Sequence, residues 1–223
     1  MNKLIVEQNT PVTLIGGGEL GEADLDLALS LASCLVAADG GAAHALARGH
    51  LPSAIIGDFD SIAQDILVQI PPQRRFHEVE QDSTDFEKAL RAIHAPLVLA
   101  VGFLGGRVDH QLAVLNALVQ NQGPPCIVLG AQEVIFHLPP CIALPLLAGE
   151  TVSVFPLRRV QARSTGLEWK LDGLTMQPGG QIGTSNRALG PVEIWVDQPG
   201  LLALVPRHHL AAVMQALLAA PQG

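Results

Sequence analysis

Four short acidic clusters carry the most chemistry in this chain, and each falls where the chain leaves a predicted β-strand. They read Ala38-Asp39-Gly40-Gly41, Gly57-Asp58-Phe59-Asp60-Ser61, Gln81-Asp82-Ser83-Thr84-Asp85 and Gly105-Gly106-Arg107-Val108-Asp109-His110. In an open α/β sheet the C-terminal strand ends share one edge, and ligands bind there. Carboxylates gathered on that edge repel one another unless a cation joins them. Mg²⁺ takes oxygen ligands and commonly bridges one or two carboxylates to substrate phosphates. The pattern points to metal-dependent phosphoryl chemistry.

Asp58 and Asp60 are two residues apart, so an extended segment would point both the same way, toward one cation. The bland alternative is a turn residue followed by a helix N-terminal acid. Asp82 and Asp85 flank a helix start, where acids favour the helix dipole. Lys88 lies one turn beyond Asp85, either as a surface i,i+3 partner or turned toward phosphate. Gly105 and Gly106 permit close backbone approach to a ligand. Arg107 offers a planar fork suited to phosphate oxygens, and Asp109 can orient it or cap the following helix. His110 reads as scaffold or ligand contact. The other histidines, His208 and His209 included, show no metal-ligand spacing and are expected to be surface or structural residues.

These clusters need elements to position them. Val12–Ile15, Leu35–Ala38, Ala54–Ile56, Arg75–Val79, Leu97–Val101 and Cys126–Leu129 read as strands. Helices are expected over Asp24–Ser33, Ala42–Arg48, Asp85 onward and Leu112–Val119. Ser61 with Gln64, and Thr84 with Glu87, have capping-box spacing. The βα alternation implies a doubly wound, mostly parallel sheet covered on both faces. After about Leu138 the pattern changes. Val134–Phe136, Val152–Phe155, Val192–Val196 and Leu201–Val205 read as strands with Gly and Pro turns between them, which predicts an all-β sandwich. Pro139-Pro140 and Pro145 mark the linker, giving domains 1–138 and 139–223. His209–Ala220 is an amphipathic helix, expected to pack on the core or at a dimer contact.

The chain has 223 residues, 48% hydrophobic and 15% charged, with mean hydropathy +0.33. That supports a buried core and argues against disorder. A net charge of -8 argues against broad nucleic-acid binding, which needs clustered Lys and Arg. Cys34, Cys126 and Cys141 are odd in number without framework spacing, and are expected to be reduced, buried thiols in a cytoplasmic protein. The N-terminus has no signal-peptide pattern, and no run reaches the ~18 apolar residues of a membrane span.

Gly16-Gly17-Gly18-Glu19-Leu20-Gly21 satisfies G-x-G-x-x-G after a strand, with Asp39 about 20 residues on. Alone it favours a dehydrogenase, but hydride transfer has no use for Asp58, Asp60, Asp82, Asp85 and Asp109 on one sheet edge. The alternative is a tight βα turn.

Taken in order, the four clusters resemble the thiamin pyrophosphokinase family. The matching pieces are Asp39-Gly40-Gly41, Gly57 to Ser61, Gln81 to Phe86 with Lys88, and Gly105 to His110. Thr165 to Leu171 and Gly183-Thr184-Ser185-Asn186 match farther on, so the resemblance covers roughly residues 12 to 205. It implies an α/β catalytic domain, a C-terminal β-sandwich that binds thiamine and dimerises, and transfer of a diphosphoryl group from ATP to thiamine with Mg²⁺. It implies metal and phosphate roles for Asp58, Asp60 and Asp85. Asp39, Gln81 and Arg107 would share their cleft, with Gly40, Ser61, Asp82, Thr84, Lys88, Gly105, Gly106, Asp109 and His110 around it. Ser185 and Asn186 would contact thiamine from the partner chain of a homodimer. Two features depart from the family pattern: the chain has no tyrosine, and the helix after Pro206 looks like an addition. The competing readings are a non-catalytic thiamine or nucleotide sensor and a metal-dependent nucleotide-sugar transferase.

Overall fold

The computed structural model describes residues 4–80 and 82–220, so Gln81 lies outside the described residues. The chain divides into two compact units, Met1–Leu129 and Gly130–Gly223. This division precedes the expected linker, because the strand Glu133–His137 pairs with the C-terminal strand Leu201–Pro206.

The first unit runs β1 (Val6–Glu7), β2 (Val12–Ile15), α1 (Asp24–Leu31), β3 (Cys34–Ala38), α2 (Gly41–Ala47), β4 (Ala54–Gly57), α3 (Gln64–Val68) and β5 (Arg75–His77). It continues through α4 (Asp85–Arg91), β6 (Ile93–His94), β7 (Val98–Val101), α5 (Val108–Gln120) and β8 (Cys126–Leu129). Strands pair in the order β5-β4-β3-β2-β7-β8, every pair parallel. β2, β4, β7 and β8 are buried at every position, as sheets covered on both faces require. The order runs outward from β2 through β3 to β5, then returns to β7 on the other side of β2. The direction in which strands are added to the sheet therefore reverses between β2 and β7, and that switch point opens a crevice at the strand ends. Packing there is tight. A Cβ on Gly41, at the start of α2, would stand 2.1 Å from the Ile15 carbonyl oxygen.

The second unit holds β9 (Glu133–His137), β10 (Cys141–Leu144), β11 (Thr151–Pro156), β12 (Val160–Leu167), β13 (Thr175–Met176), β14 (Gly183–Val196), β15 (Leu201–Pro206) and α6 (Leu210–Ala219). All its pairs are antiparallel. β14 serves two sets of partners: its first residues pair with β11, and Ala188 onward pairs with β12, with β10 on the other side of Val192–Trp195. α6 packs against β10 and buries Leu210, Val213, Met214 and Leu217.

Several local expectations are corrected. Ser61 does not cap a helix: α3 starts later, with Ala63 at its N-cap and no side-chain cap. The Ser61 hydroxyl instead donates to the Asp60 carboxylate at 2.9 Å. Only Cys126 is buried; Cys34 and Cys141 are half-buried at strand starts. α5 begins at Val108, one residue after Arg107, well ahead of the expected Leu112. β5 ends at His77, short of Val79, and β12 was not anticipated. The buried positions of β12 include Ala162 and Ser164, too small or polar to show the alternation of a strand. The Thr84–Glu87 capping box forms as its spacing predicts, with both reciprocal bonds present.

Candidate active site

The acidic clusters converge where the strand order reverses. A cleft of about 630 Å³ is lined by Asp39 and Gly40 after β3, Ser61, Thr84 and Asp85, then Gly105, Gly106, Arg107 and His110 ahead of and within α5. Asp39, Asp58 and Asp60 each bring a carboxylate oxygen within 4.8 Å of the others. Asp82 is exposed.

Asp58 and Asp60 meet by a different route from the one their spacing suggests. Phe59 between them has φ 64°, left-handed rather than extended. A bulky residue seldom adopts that conformation. The Asp60 N–H points back to Asp58 Oδ1 at 3.3 Å, and the Phe59 ring stacks on His77 with centroids 5.4 Å apart. His77 Nε2 lies 3.0 Å from the Asp58 carbonyl oxygen. His77 is thus a supporting residue that sequence reasoning missed; its only signal was its place at the end of β5, on the same sheet edge.

Asp39 is also left-handed, at φ 39°, and is 3% exposed. Its Oδ1 is buried without a hydrogen-bond partner. Burial pushes its carboxyl above the usual carboxylate range, and repulsion from Asp85, then from Asp58 and Asp60, adds to the rise, while Ser61 offsets part of it.

Lys88 is neither a surface partner of Asp85 nor an open arm. Its side chain is 4% exposed, with Nζ 3.1 Å from Asp85 Oδ1 and 3.8 Å from Asp58 Oδ2. Lys88 thus pairs with Asp58 and Asp85, while Asp58 also gathers with Asp39 and Asp60, so acids outnumber the ammonium at the strand ends. A divalent cation fits this donor set. It is all oxygen, it is short of positive charge, and it includes an orphaned buried acceptor that a metal bond would satisfy.

Beside the carboxylates, Gly105 and Gly106 take φ 78° and 66°. A Cβ on Gly105 would stand 2.5 Å from the Glu19 side chain, and Glu19 Oε1 accepts from the Gly106 N–H at 3.2 Å. This bend delivers Arg107 to the start of α5. Asp109 does not cap α5 but grips Arg107 through two bonds, Nε to Oδ1 at 3.1 Å and Nη2 to Oδ2 at 2.5 Å. Arg107 accordingly holds the Asp109 carboxyl down at about 2. The pair is exposed, so its worth is geometric: the guanidinium fork is held in place.

The glycine fingerprint makes a turn. α1 begins only at Asp24, not at the third glycine, and the Asp24 carboxylate accepts from the Gly21 N–H at 2.9 Å. A Cβ on Gly18 would stand 2.8 Å from the Gly102 carbonyl oxygen. The loop is packed against its neighbour and presents no helix N-terminus, but Gly17 and Gly18 line the acidic cleft and so form part of its wall.

Ser185 and Asn186 lie in β14 of the second unit. Ser185 is exposed and left-handed at φ 60°. The Asn186 side chain is buried: its amide donates to the Trp169 carbonyl at 2.6 Å, and its oxygen accepts from the Trp169 and Arg187 N–H groups at 3.2 and 2.8 Å. Asn186 therefore fixes the Trp169 segment, and Trp169 itself is 55% exposed. His208 and His209 are not idle surface residues, since both reach the Glu150 carboxylate.

Comparison with known proteins yields matches throughout. The family model described as thiamin pyrophosphokinase, catalytic domain, matches residues 25–128, and the vitamin B1 binding domain of the same family matches residues 137–201. Thiamine pyrophosphokinase 1 of Arabidopsis thaliana is 31% identical over 161 residues, covering 64% of this chain and 60% of that protein. Thiamine pyrophosphokinase 3 of Oryza sativa is 28% identical over 184 residues, covering 73% and 69%. The chain thus spans about 60% of the length of the first of these curated relatives. Among solved structures, thiamin pyrophosphokinase from Geobacillus thermodenitrificans superposes with TM-score 0.71 at 25% identity, covering 88% of this chain and 96% of that one. The enzyme from Candida albicans superposes with TM-score 0.74 at 16% identity over 92% of each chain, a likeness of fold. With both domain models of one family matched in order along it, the chain belongs to the thiamin pyrophosphokinase family.

Proposed function

We propose that this chain is a thiamine diphosphokinase, transferring a diphosphoryl group from ATP to the hydroxyl of thiamine and releasing AMP. The observation that carries the reading is the convergence of Asp39, Asp58 and Asp60 beside a glycine-edged cleft, with the buried Lys88 bridging Asp58 to Asp85. Family membership supplies the substrates.

In this reading Asp58, Asp60 and Asp85 hold Mg²⁺, with Asp39 close enough to join them. The ion would neutralise phosphate charge and align an in-line displacement. The residues do the rest. Gly105 and Gly106 let phosphate oxygens approach the main chain, flanked by Gly40, Ser61, Thr84 and His110. Arg107, held by Asp109, meets the charge that builds on the transferred group. The thiamine hydroxyl attacks the β-phosphorus, and the bond to the α-phosphate oxygen breaks as AMP leaves. Lys88 keeps Asp58 and Asp85 from repelling each other before ligand arrives. The surplus negative charge also suits the cationic thiazolium. A loose phosphoryl transition state asks little of a general base, and the reading assigns none.

The first unit would then be a doubly wound catalytic domain and the second a sandwich that binds thiamine. Ser185 and the segment that Asn186 steadies would serve the cleft of the partner chain in a homodimer. The family pattern would give Asp82, and Gln81 outside the described residues, a part in the same site. A cytoplasmic place suits three free thiols. Among the described residues no helix is long and apolar enough to cross a membrane.

The test is product analysis after incubating purified protein with thiamine, ATP and MgCl₂, with and without EDTA. Thiamine diphosphate and AMP in equal amounts, lost with EDTA, is the expected result. Thiamine monophosphate with ADP would refute diphosphoryl transfer, and no thiamine product would favour a sensor or a nucleotide-sugar transferase.

A further inference from the structure

A second cluster of ligating groups lies in the C-terminal unit and takes no part in the chemistry above. Glu150 Oε1 is 2.6 Å from His208 Nε2, and Glu150 Oε2 is 2.6 Å from His209 Nε2. One atom from each of the three residues lies within 4.8 Å of the others. The two rings stand 4.3 Å apart between centroids. Each Glu150 oxygen faces one imidazole, and a carboxylate can accept from both. Two imidazoles that converge through the same ring nitrogen would repel each other if both were protonated, whereas a metal ion takes both as neutral ligands.

The arrangement is held from both sides. Glu150 closes the turn before β11, where the Leu147 N–H donates to Oε2 at 2.7 Å and the Ala188 N–H to the Glu150 carbonyl at 2.8 Å. His208 and His209 end the 3-10 turn Arg207–His209 between β15 and α6, and the Arg207 N–H donates to the Gln132 carbonyl at 2.9 Å. The side chains of Glu150 and His209 are 15% and 10% exposed, and that of His208 is 64% exposed. Two ligands are therefore fixed in the fold, and the third sits at an opening to solvent.

We propose that Glu150, His208 and His209 form a Zn²⁺ site that ties the start of α6 to the turn ahead of β11. Zinc takes imidazole nitrogen at about 2.0–2.1 Å and carboxylate oxygen at about 2.0–2.2 Å, so tetrahedral ligand atoms stand about 3.3 Å apart. The two 2.6 Å contacts use different Glu150 oxygens, so as a one-oxygen ligand the carboxylate turns one of them toward both imidazoles; one ligand atom from each residue already lies within 4.8 Å of the others. The two-nitrogen, one-oxygen donor set suits a borderline metal and not Mg²⁺, which prefers oxygen. The fourth position, on the His208 side, is open to water. The Leu147 N–H orients the carboxylate from the outer shell. Both histidines lie beyond residue 201, where the family match ends, while Glu150 lies within it, so the site would join the appended segment to the matched domain.

The experiment uses the full chain without an affinity tag, stripped with EDTA and returned to excess MgCl₂ to occupy the carboxylate cleft. Zn²⁺ is titrated by calorimetry, and Co²⁺ is titrated while its visible d–d bands are followed. One tight equivalent with tetrahedral Co²⁺ bands is expected. His208→Ala and Glu150→Gln should each weaken it by more than the roughly 10–100-fold that losing even an outer-shell partner costs, while Asp58→Asn keeps it. Diphosphoryl transfer in MgCl₂ should be unchanged in His208→Ala, so this readout is independent of the proposed reaction. His208 is exposed, so that variant remains a fair test should Glu150→Gln fail to fold. Absence of a tight equivalent in the unaltered chain would overturn the proposal. So would equal affinity in the unaltered chain and His208→Ala, or loss of the equivalent in Asp58→Asn.

Discussion

Lys88→Met removes the cation paired with Asp58 and Asp85 while keeping a side chain of similar length in its buried position. At an effective dielectric of about 20, the ammonium gains ~5 kcal/mol from Asp85 at 3.1 Å and ~4 kcal/mol from Asp58 at 3.8 Å. Desolvation of a buried ion takes back several kcal/mol. Breaking a fully buried pair costs about 3–5 kcal/mol. Here the acids keep 32% and 19% of their side-chain exposure, so water screens part of the loss, leaving a destabilisation of about 2–3 kcal/mol. At roughly 2–4 °C per kcal/mol for a chain of this size, the variant should melt about 4–12 °C lower in EDTA. Saturating Mg²⁺ should restore more stability to the variant than it adds to the unaltered protein, since the ion neutralises the same carboxylates. Ligand at a hundred times its dissociation constant contributes about 2.7 kcal/mol, enough to offset most of the deficit. The assay is a thermal melt of both proteins in EDTA and in MgCl₂. Identical melting in EDTA, or an equal Mg²⁺ response in both, would refute the claim that Lys88 and a metal compensate the same charge.

Asp58→Asn and Asp60→Asn should each lower turnover about a hundredfold or more, the scale of losing one preorganised electrostatic group, with circular dichroism unchanged; near-normal steady-state rates in both would remove them from the metal set. Asp39 titrates above the usual carboxylate range in the fold, so its contribution to stability is complete below the unfolded carboxyl pKa and is lost as pH rises through its raised folded value. In EDTA, Asp39→Asn should melt like the unaltered protein at low pH and progressively above it as pH rises, with the gain shrinking in MgCl₂; a gain independent of pH would contradict the charge argument. Thr84→Ala removes the capping-box hydroxyl that accepts from the Glu87 N–H, and should cost about 1 kcal/mol in urea unfolding; no change in midpoint would mean that tertiary contacts alone hold α4.

What could be read from residue order was whatever short-range rules govern. Continuous apolar runs such as Val98–Val101 marked buried parallel strands, because a sheet covered on both faces leaves no polar side. The acidic residues stood out because they follow those runs. Three things were hidden. Phe59 carries no signal for a left-handed backbone, since the conformation is imposed by its stack on His77 and by the pull of Asp60 toward Asp58. Lysine is seldom buried, so nothing local distinguished Lys88 from a surface partner. Glu150 is 58 residues from His208 in sequence, and two adjacent histidines do not have ligand spacing until a distant carboxylate is folded onto them.

The geometry of the cleft explains why these departures gather where they do. Among the described residues, three non-glycine positions are left-handed: Asp39, Phe59 and Ser185. Two of them shape the acidic cluster, and such backbones cost of order 1–3 kcal/mol each. Asp39 keeps its conformation because its N–H donates to the Ile56 carbonyl at 3.0 Å and its own carbonyl accepts from the Ala42 N–H at 3.0 Å. The surrounding sheet thus over-determines a backbone that the residue alone would leave. The same two bends press carboxylates together, and their repulsion adds to the strain that Lys88 only partly offsets. A ligand bearing positive charge relieves that repulsion on arrival, so part of its affinity comes from energy already stored in the folded chain. Substitutions that relax this region are therefore expected to trade metal affinity for stability, whereas substitutions in the apolar strands beneath it lose stability with no compensating gain.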